Sequence, residues 1–224
     1  MIITKAKEKQ GVLDMLGGVR KVFLLGCSEC ASLCGTGSPE ALEAMKETLE
    51  AAGKEVTGAF VAKTGCQVLG TKVELKGHRE AVDAAEAVLV MSCGAGTQAM
   101  VEVFKDKKVY PANDTSFLGN MTRFQHFDER CSMCGECIID MTGGICPVTT
   151  CPKGILNGPC GGTNNGMCEV SPDIECAWAK IYARMERTGE LDRMKEILPP
   201  KDYSKKMSPK VWVIEKKKED SDPK

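Results

Sequence analysis

The sequence predicts an α/β protein. An open, mostly parallel, Rossmann-like N-terminal domain is expected over 1–118. A loop-rich, cysteine-rich metal-binding domain ending in helices follows over 119–200, with a charged tail over 201–224. Three observations carry that reading. Short apolar runs alternate with helical spacing through the first half, the pattern of βαβ units. From about Leu118 to Trp178 periodicity fades while Gly, Pro and Asn rise. The 13 cysteines divide between the two parts, five before and eight after the change.

Val19–Leu25 reads as a buried strand, being short, apolar and partly β-branched. Ser38-Pro39-Glu40 supplies an N-cap, a proline at the first helical position and an acid in the first turn. Leu42, Met45 and Leu49 follow at helical spacing, and Gly53 closes that helix. Glu55–Val61 is a second strand, Thr71 to Ala85 a helix, and Ala87–Met91 a third strand. Thr97–Phe104 is a short helix, and Lys108–Tyr110 begins a fourth strand. Helical spacing returns over 173–197 through Ile174, Trp178, Ile181, Tyr182 and Met185. In the tail, Val211–Ile214 is an apolar patch, either a solvated end or a clip that docks Trp212 on a partner.

A net charge of −1 excludes a strongly basic nucleic-acid surface. No apolar run approaches the ~18 residues of a membrane span. The opening MIITKAKEKQGVLDML has no apolar signal-peptide core. A cytoplasmic protein with neither nucleic-acid nor membrane partners is therefore expected. There thiols stay reduced, and an odd cysteine total argues against a closed disulfide framework. Metal ligation is the use that remains for so many thiols.

Cys27, Cys66 and Cys93 each follow an expected strand. In a parallel sheet the carboxyl ends of the strands share one edge, and ligands bind in the crevice beyond it. Cys30 or Cys34, both on the first loop, is the fourth ligand, so one of the five is dispensable. Four thiolates suit a [4Fe–4S] cluster or tetrahedral zinc. Glycines at 26, 35, 37, 65, 94 and 96 let backbone approach such a group. Gly94-Ala95-Gly96-Thr97-Gln98-Ala99 also reads as a dinucleotide fingerprint, with Asp114 twenty residues on. It follows the third strand rather than the first, and Cys93 sits where pyrophosphate would need free backbone N–H groups.

In the second part Cys131, Cys134 and Cys137 stand at the spacing that opens a bacterial ferredoxin run. Cys146-Pro147 and Cys151-Pro152 come later than that run requires, and Cys160, Cys168 and Cys176 follow. Eight thiols make two four-ligand sites, with iron–sulfur favoured and zinc the alternative. His78, in a polar helix, and His126 are not spaced with a cysteine pair and read as surface residues. The N-x-T sequons at Asn113 and Asn120 read as chance matches. Asp128, Glu129 and Arg130 read as a charged surface turn, and no catalytic dyad is evident.

The run CSMCGECIIDMTGGICPVTTCPKGILNGPCGGTNNGMCEV, continuing to ECAW at 175–178, resembles the methylenetetrahydrofolate reductase C-terminal domain. GCSECASLCGTG, GCQ at 65–67 and SCGAG at 92–96 resemble the rest of the small iron–sulfur subunit of two-subunit reductases from acetogenic bacteria. The resemblance implies a partner, a flavin-carrying TIM-barrel subunit that reduces methylenetetrahydrofolate. It implies that this chain passes electrons to that flavin through two or three [4Fe–4S] clusters, with a further electron-donor subunit or ferredoxin upstream. A (β/α)8 barrel needs ~250 residues, so the folate chemistry is expected in the partner and this chain is a non-catalytic subunit. The alternatives are a zinc-braced docking subunit that carries no electrons and a stand-alone NAD-linked oxidoreductase using Gly94–Ala99.

Overall fold

A computed structural model of the chain describes residues 1–214. In order, the first unit contains β1 (Ile2–Ala6), α1 (Lys9–Leu16), β2 (Lys21–Cys27), α2 (Cys30–Leu33), α3 (Pro39–Ala51), β3 (Glu55–Ala62) and α4 (Val68–Glu74). It continues with α5 (Arg79–Ala84), β4 (Ala87–Met91), α6 (Gly94–Val103), β5 (Lys108–Pro111), β6 (Asn113–Arg123) and β7 (His126–Cys131). The second unit contains α7 (Pro147–Thr150), β8 (Met167–Cys168), β9 (Ser171–Glu175) and α8 (Ala177–Thr188). The first unit spans Met1–Cys131, and the second begins at Ser132.

The expected α/β architecture is present. Four strands form a parallel sheet in the order β3-β2-β4-β5. β2 is a continuous apolar run because both its faces are covered. Val22 and Leu24 face one helical layer, with Val12, Leu16, Leu42, Met45 and Leu49. Phe23 and Leu25 face the other, with Leu75, Val82, Ala99, Met100 and Phe104. β4 alternates in the same way: Leu89 and Met91 on the first side, Val88 and Val90 on the second. Burying a side chain of this size contributes roughly 1.5–3 kcal/mol, so these two strands anchor the unit. The chain runs from β2 to β3 on one side and then crosses to β4 on the other. The reversal falls between β2 and β4.

Ser38 caps α3 as expected, its hydroxyl accepting from Ala41 N–H at 3.3 Å. The single helix expected from Thr71 to Ala85 is instead α4, a 3-10 turn at Leu75–His78, and α5. Gly77 offers no side chain to hold the helix there. His78, expected to be solvated, is half-buried with its ring 4.5 Å from that of Phe60.

A second sheet, β1-β6-β7, was not anticipated. β1 pairs antiparallel with β6, Ile2 opposite Leu118, and β6 turns back into β7. The compositional change at 118 therefore lies inside β6. Asn113 opens that strand in a buried network: its Nδ2 donates to Thr36 O at 3.1 Å and to Ser92 O at 3.3 Å, and it is 5% exposed.

In the second unit loops predominate. Trp178, Ile181 and Met185 on one face of α8 pack with Ile145, Leu191 and Met194. Gly189, at φ 72°, ends α8 in the left-handed conformation. The helix expected from 173 begins only at Ala177, because Ser171–Glu175 pairs with β8 as a strand. Trp212 is 89% exposed. The last part of the expected tail, 215–224, lies outside the described residues. Among the described residues no helix is long and apolar enough to cross a membrane.

Candidate metal centres

No disulfide joins any of the cysteines, which are distributed in distinct settings. Cys27 ends β2, Cys66 lies in the turn after β3, and Cys93 is the N-cap of α6 just beyond β4. Their loops interlock at the carboxyl edge of the parallel sheet. Gly65 N–H donates to Cys27 Sγ at 3.4 Å. A Cβ on Gly96 would stand 2.5 Å from Ser92 Oγ, and one on Gly37 2.4 Å from Met91 O. Only glycine admits this approach. Burial pushes the Cys66 thiol up; the thiolates of Cys93, Cys27 and Cys30 push it further. Cys66 thus feels the sulfurs of Cys93, Cys27 and Cys30 across one edge, at the reversal point of the sheet.

Cys34 is placed differently. Cys30 Sγ accepts from Ile2 N–H at 3.4 Å, while Cys34 Sγ donates to Ile2 O at 3.9 Å. Cys30 at the start of α2 and Cys34 at its C-cap clasp the first paired residue of β1.

The nucleotide reading of Gly94–Ala99 fails on two observations. Gly94 N–H already donates to Thr115 Oγ1 at 2.7 Å. Asp114, the acid a ribose would need, is ion-paired with Lys7.

In the second unit Cys151, Cys160, Cys168 and Cys176 line one cavity with Pro152, Thr163 and Trp178. Cys151 ends α7, Cys168 lies in β8 and Cys176 caps α8. Trp178 Nε1–H donates to Ile155 O at 2.9 Å and fixes the cavity wall. Burial raises the Cys176 thiol. The backbone N–H groups of Ala179 and Trp178 and the Thr163 hydroxyl outweigh it, leaving the thiol below its ordinary value. Lys153 is ion-paired with Glu169, its ammonium 3.9 Å from Cys160 Sγ, and Cys160 Sγ lies 3.7 Å from Glu169 Oε1.

Cys134 and Cys137 share the loop that opens the second unit, Cys146 is the N-cap of α7, and Cys131 ends β7 in the first unit. Backbone hydrogen bonding at Glu136 pulls the Cys134 thiol down, and the Lys201 ammonium adds to this. Asp128, Glu129 and Arg130, expected in a charged surface turn, lie instead in β7, where Asp128 and Arg130 form a surface ion pair at 2.6 Å.

Among the described residues no three or more His, Cys, Asp or Glu side chains are grouped so as to hold a metal ion. The thiol sets are defined by interlocked loops, a shared cavity and mutual electrostatics rather than by ligand geometry. The donor chemistry at the sheet edge still fits a thiolate-bound group: a thiol such as Cys66, held up by burial and by neighbouring thiolates, is relieved by a cation. Sequence spacing located the first set through its strand ends. It carried no signal that Cys151, Cys160, Cys168 and Cys176 belong together, nor that Lys153 and Lys201 reach sulfur.

No curated protein and no solved structure matches the chain. Residues 110–204, which hold all eight cysteines of the second set, match the family described as Methylene-tetrahydrofolate reductase C terminal.

Proposed function

We propose that this chain is the electron-transfer iron–sulfur subunit of a two-subunit methylenetetrahydrofolate reductase. Its thiols would hold [4Fe–4S] clusters that deliver electrons to the flavin of a partner catalytic subunit. One observation carries the reading: four thiols converge on a single cavity inside the segment that matches the reductase family. Cys151, Cys160, Cys168 and Cys176 would hold one cluster and Cys27, Cys30, Cys66 and Cys93 another. The ferredoxin-like spacing of Cys131, Cys134 and Cys137, with Cys146 after them, is the argument for a third. Such a cluster supplies one-electron chemistry at a potential set by charge, hydrogen bonds and solvent access.

The chain's own groups provide those settings. Gly65 N–H and Ile2 N–H donate to Cys27 and Cys30 sulfurs. Trp178 closes one wall of the four-thiol cavity. The parallel sheet is open and four-stranded, without the eight strands of the barrel expected to bind flavin and folate. The reading therefore assigns folate reduction to the partner.

The test is an anaerobic iron, zinc and sulfide determination on the full chain. Brown protein absorbing near 400 nm with roughly 8–12 iron per chain is expected for two or three four-iron clusters. Colourless protein with stoichiometric zinc and no EPR signal on reduction overturns the reading in favour of a zinc-braced docking subunit.

A further inference from the structure

Helix α4 has one side that its own unit leaves bare. Leu69, Lys72 and Val73 stand at i, i+3 and i+4 and share that side. Leu69 is 77% exposed and Val73 63%. Thr71 and Leu75 turn the other way and are buried. Lys72 also lines a cavity of about 290 Å³ in the same unit. The buried side chains of Leu75, Val82 and Phe104 form its floor, and the exposed Lys76 and Arg79 stand with Lys72 at its mouth.

The charge here is one-sided. Val68 to Arg79 holds three cations and one acid, in a chain of net charge −1. That acid, Glu74, accepts from Lys63 N–H at 3.1 Å. Arg79 is paired with Asp83 at 3.5 Å. Among the described residues no carboxylate lies within ion-pair distance of Lys72 or Lys76. A single exposed leucine needs no explanation, but apolar side chains continuous with an apolar-floored cavity and rimmed by free lysines form a patch. The cavity is at the bottom of the roughly 300–1,000 Å³ range of small-molecule sites, and a ligand inside it would leave Leu69 and Val73 bare. A protein surface covers both, and the two unpaired lysines call for carboxylates on it.

The place of the patch adds to this. α4 begins two residues after Cys66. Of the thiols at the sheet edge Cys27 is buried, Cys30 and Cys93 are half-buried, and Cys66 is exposed. A protein seated on Leu69, three residues along, borders the one thiol of that set that is open to solvent.

We propose that the bare side of α4, with its basic cavity mouth, docks the acidic surface of a small one-electron carrier protein beside Cys66. The carrier's role rests on the iron–sulfur reading above. The reduced carrier gives up one electron, the centre at the sheet edge takes it up, and no bond or proton moves. Lys72 and Lys76 steer and orient the encounter, while Leu69 and Val73 supply the contact from which water is expelled.

The experiment is a calorimetric titration of the full chain with a small acidic ferredoxin at low and at physiological ionic strength. The double variant Lys72→Glu/Lys76→Glu should bind about tenfold more weakly or worse, with a flattened salt dependence. Lys72→Gln/Lys76→Gln should fall between it and the parent, and unchanged thermal unfolding in both shows that the fold is intact. Leu69→Ser should weaken binding while keeping the salt dependence. Lys9→Glu, on α1 in the other helical layer, should bind as the parent does. Parent-like binding by both double variants overturns the proposal, as does a parent chain that does not bind the ferredoxin. Binding of phosphatidylglycerol vesicles through the same lysines, without ferredoxin binding, gives the face to a lipid surface and also overturns it. A parent chain that lacks iron yet binds the ferredoxin through Lys72 and Lys76 upholds the docking face and refutes the iron–sulfur reading alone.

Discussion

Among the five N-terminal thiols, Cys30 and Cys34 differ by a hydrogen bond's direction. Cys30 accepts from Ile2 N–H, as a thiolate ligand can continue to do; Cys34 donates its proton to Ile2 O. Cys34→Ser should therefore retain the iron of the N-terminal set, and Cys30→Ser should lose it, read as iron per chain. Equal loss in both would mean that α2 contributes two ligands. A second residue-scale expectation concerns Glu86. Arg20 N–H donates to its Oε2 at 2.8 Å, and that bond, followed by the charge of Arg20, holds the carboxyl below its ordinary value of 4.5. A carboxylate depressed in the folded state contributes stability above its unfolded pKa and loses it as pH falls through the folded one. Thermal unfolding of Glu86→Gln should thus lie below the parent at pH 7, and the two should converge well below pH 4.5. A gap that persists in acid would put the effect down to packing.

At the scale of the elements, the loops beyond β2, β3 and β4 depend on glycine because backbone meets backbone there. Gly37→Ala would put a methyl 2.4 Å from Met91 O and 2.7 Å from Ala31 Cβ. Overpacking of this kind costs typically 1–3 kcal/mol, measurable by denaturant unfolding. Gly53→Ala meets no neighbour, but its φ of 74° is left-handed, so its penalty is backbone strain alone. What could be read from the sequence follows the same physics. β2, β4 and α3 are legible because apolar period and capping agree with burial: Leu24 and Phe23 divide the two faces, and Ser38 caps as its position implies. β1, β6 and β7 were not, because an antiparallel edge sheet carries mixed polar residues such as Thr4, Lys5, Asp114 and Asn120 and shows no apolar run. The break near Gly77 escapes the helical spacing, which runs on across it, although the glycine itself is a weak point for a helix and His78 beside it packs on Phe60. The strand-end thiols were legible through topology. The four-thiol cavity was not, since its members are brought together by loops whose paths no periodicity describes.

For the whole molecule, the first unit is a small sheet with helices on both faces and the second a loop-built body around α8. Among the described residues the sheets have three, four and two strands, and none closes into an eight-stranded barrel. On the proposed reading the purified chain alone should oxidise no artificial donor at the expense of methylenetetrahydrofolate, and activity should appear only with the proposed partner subunit present. Turnover by the chain alone would place the folate site here. Asn113 bears on how such material is made. It begins a sequon, yet its amide nitrogen is committed to two buried carbonyls. A host that routes the chain through its secretory pathway would attach sugar to that nitrogen before β6 can seat. Glycosylated polypeptide would then be trapped unfolded, which makes a bacterial cytosol the host of choice.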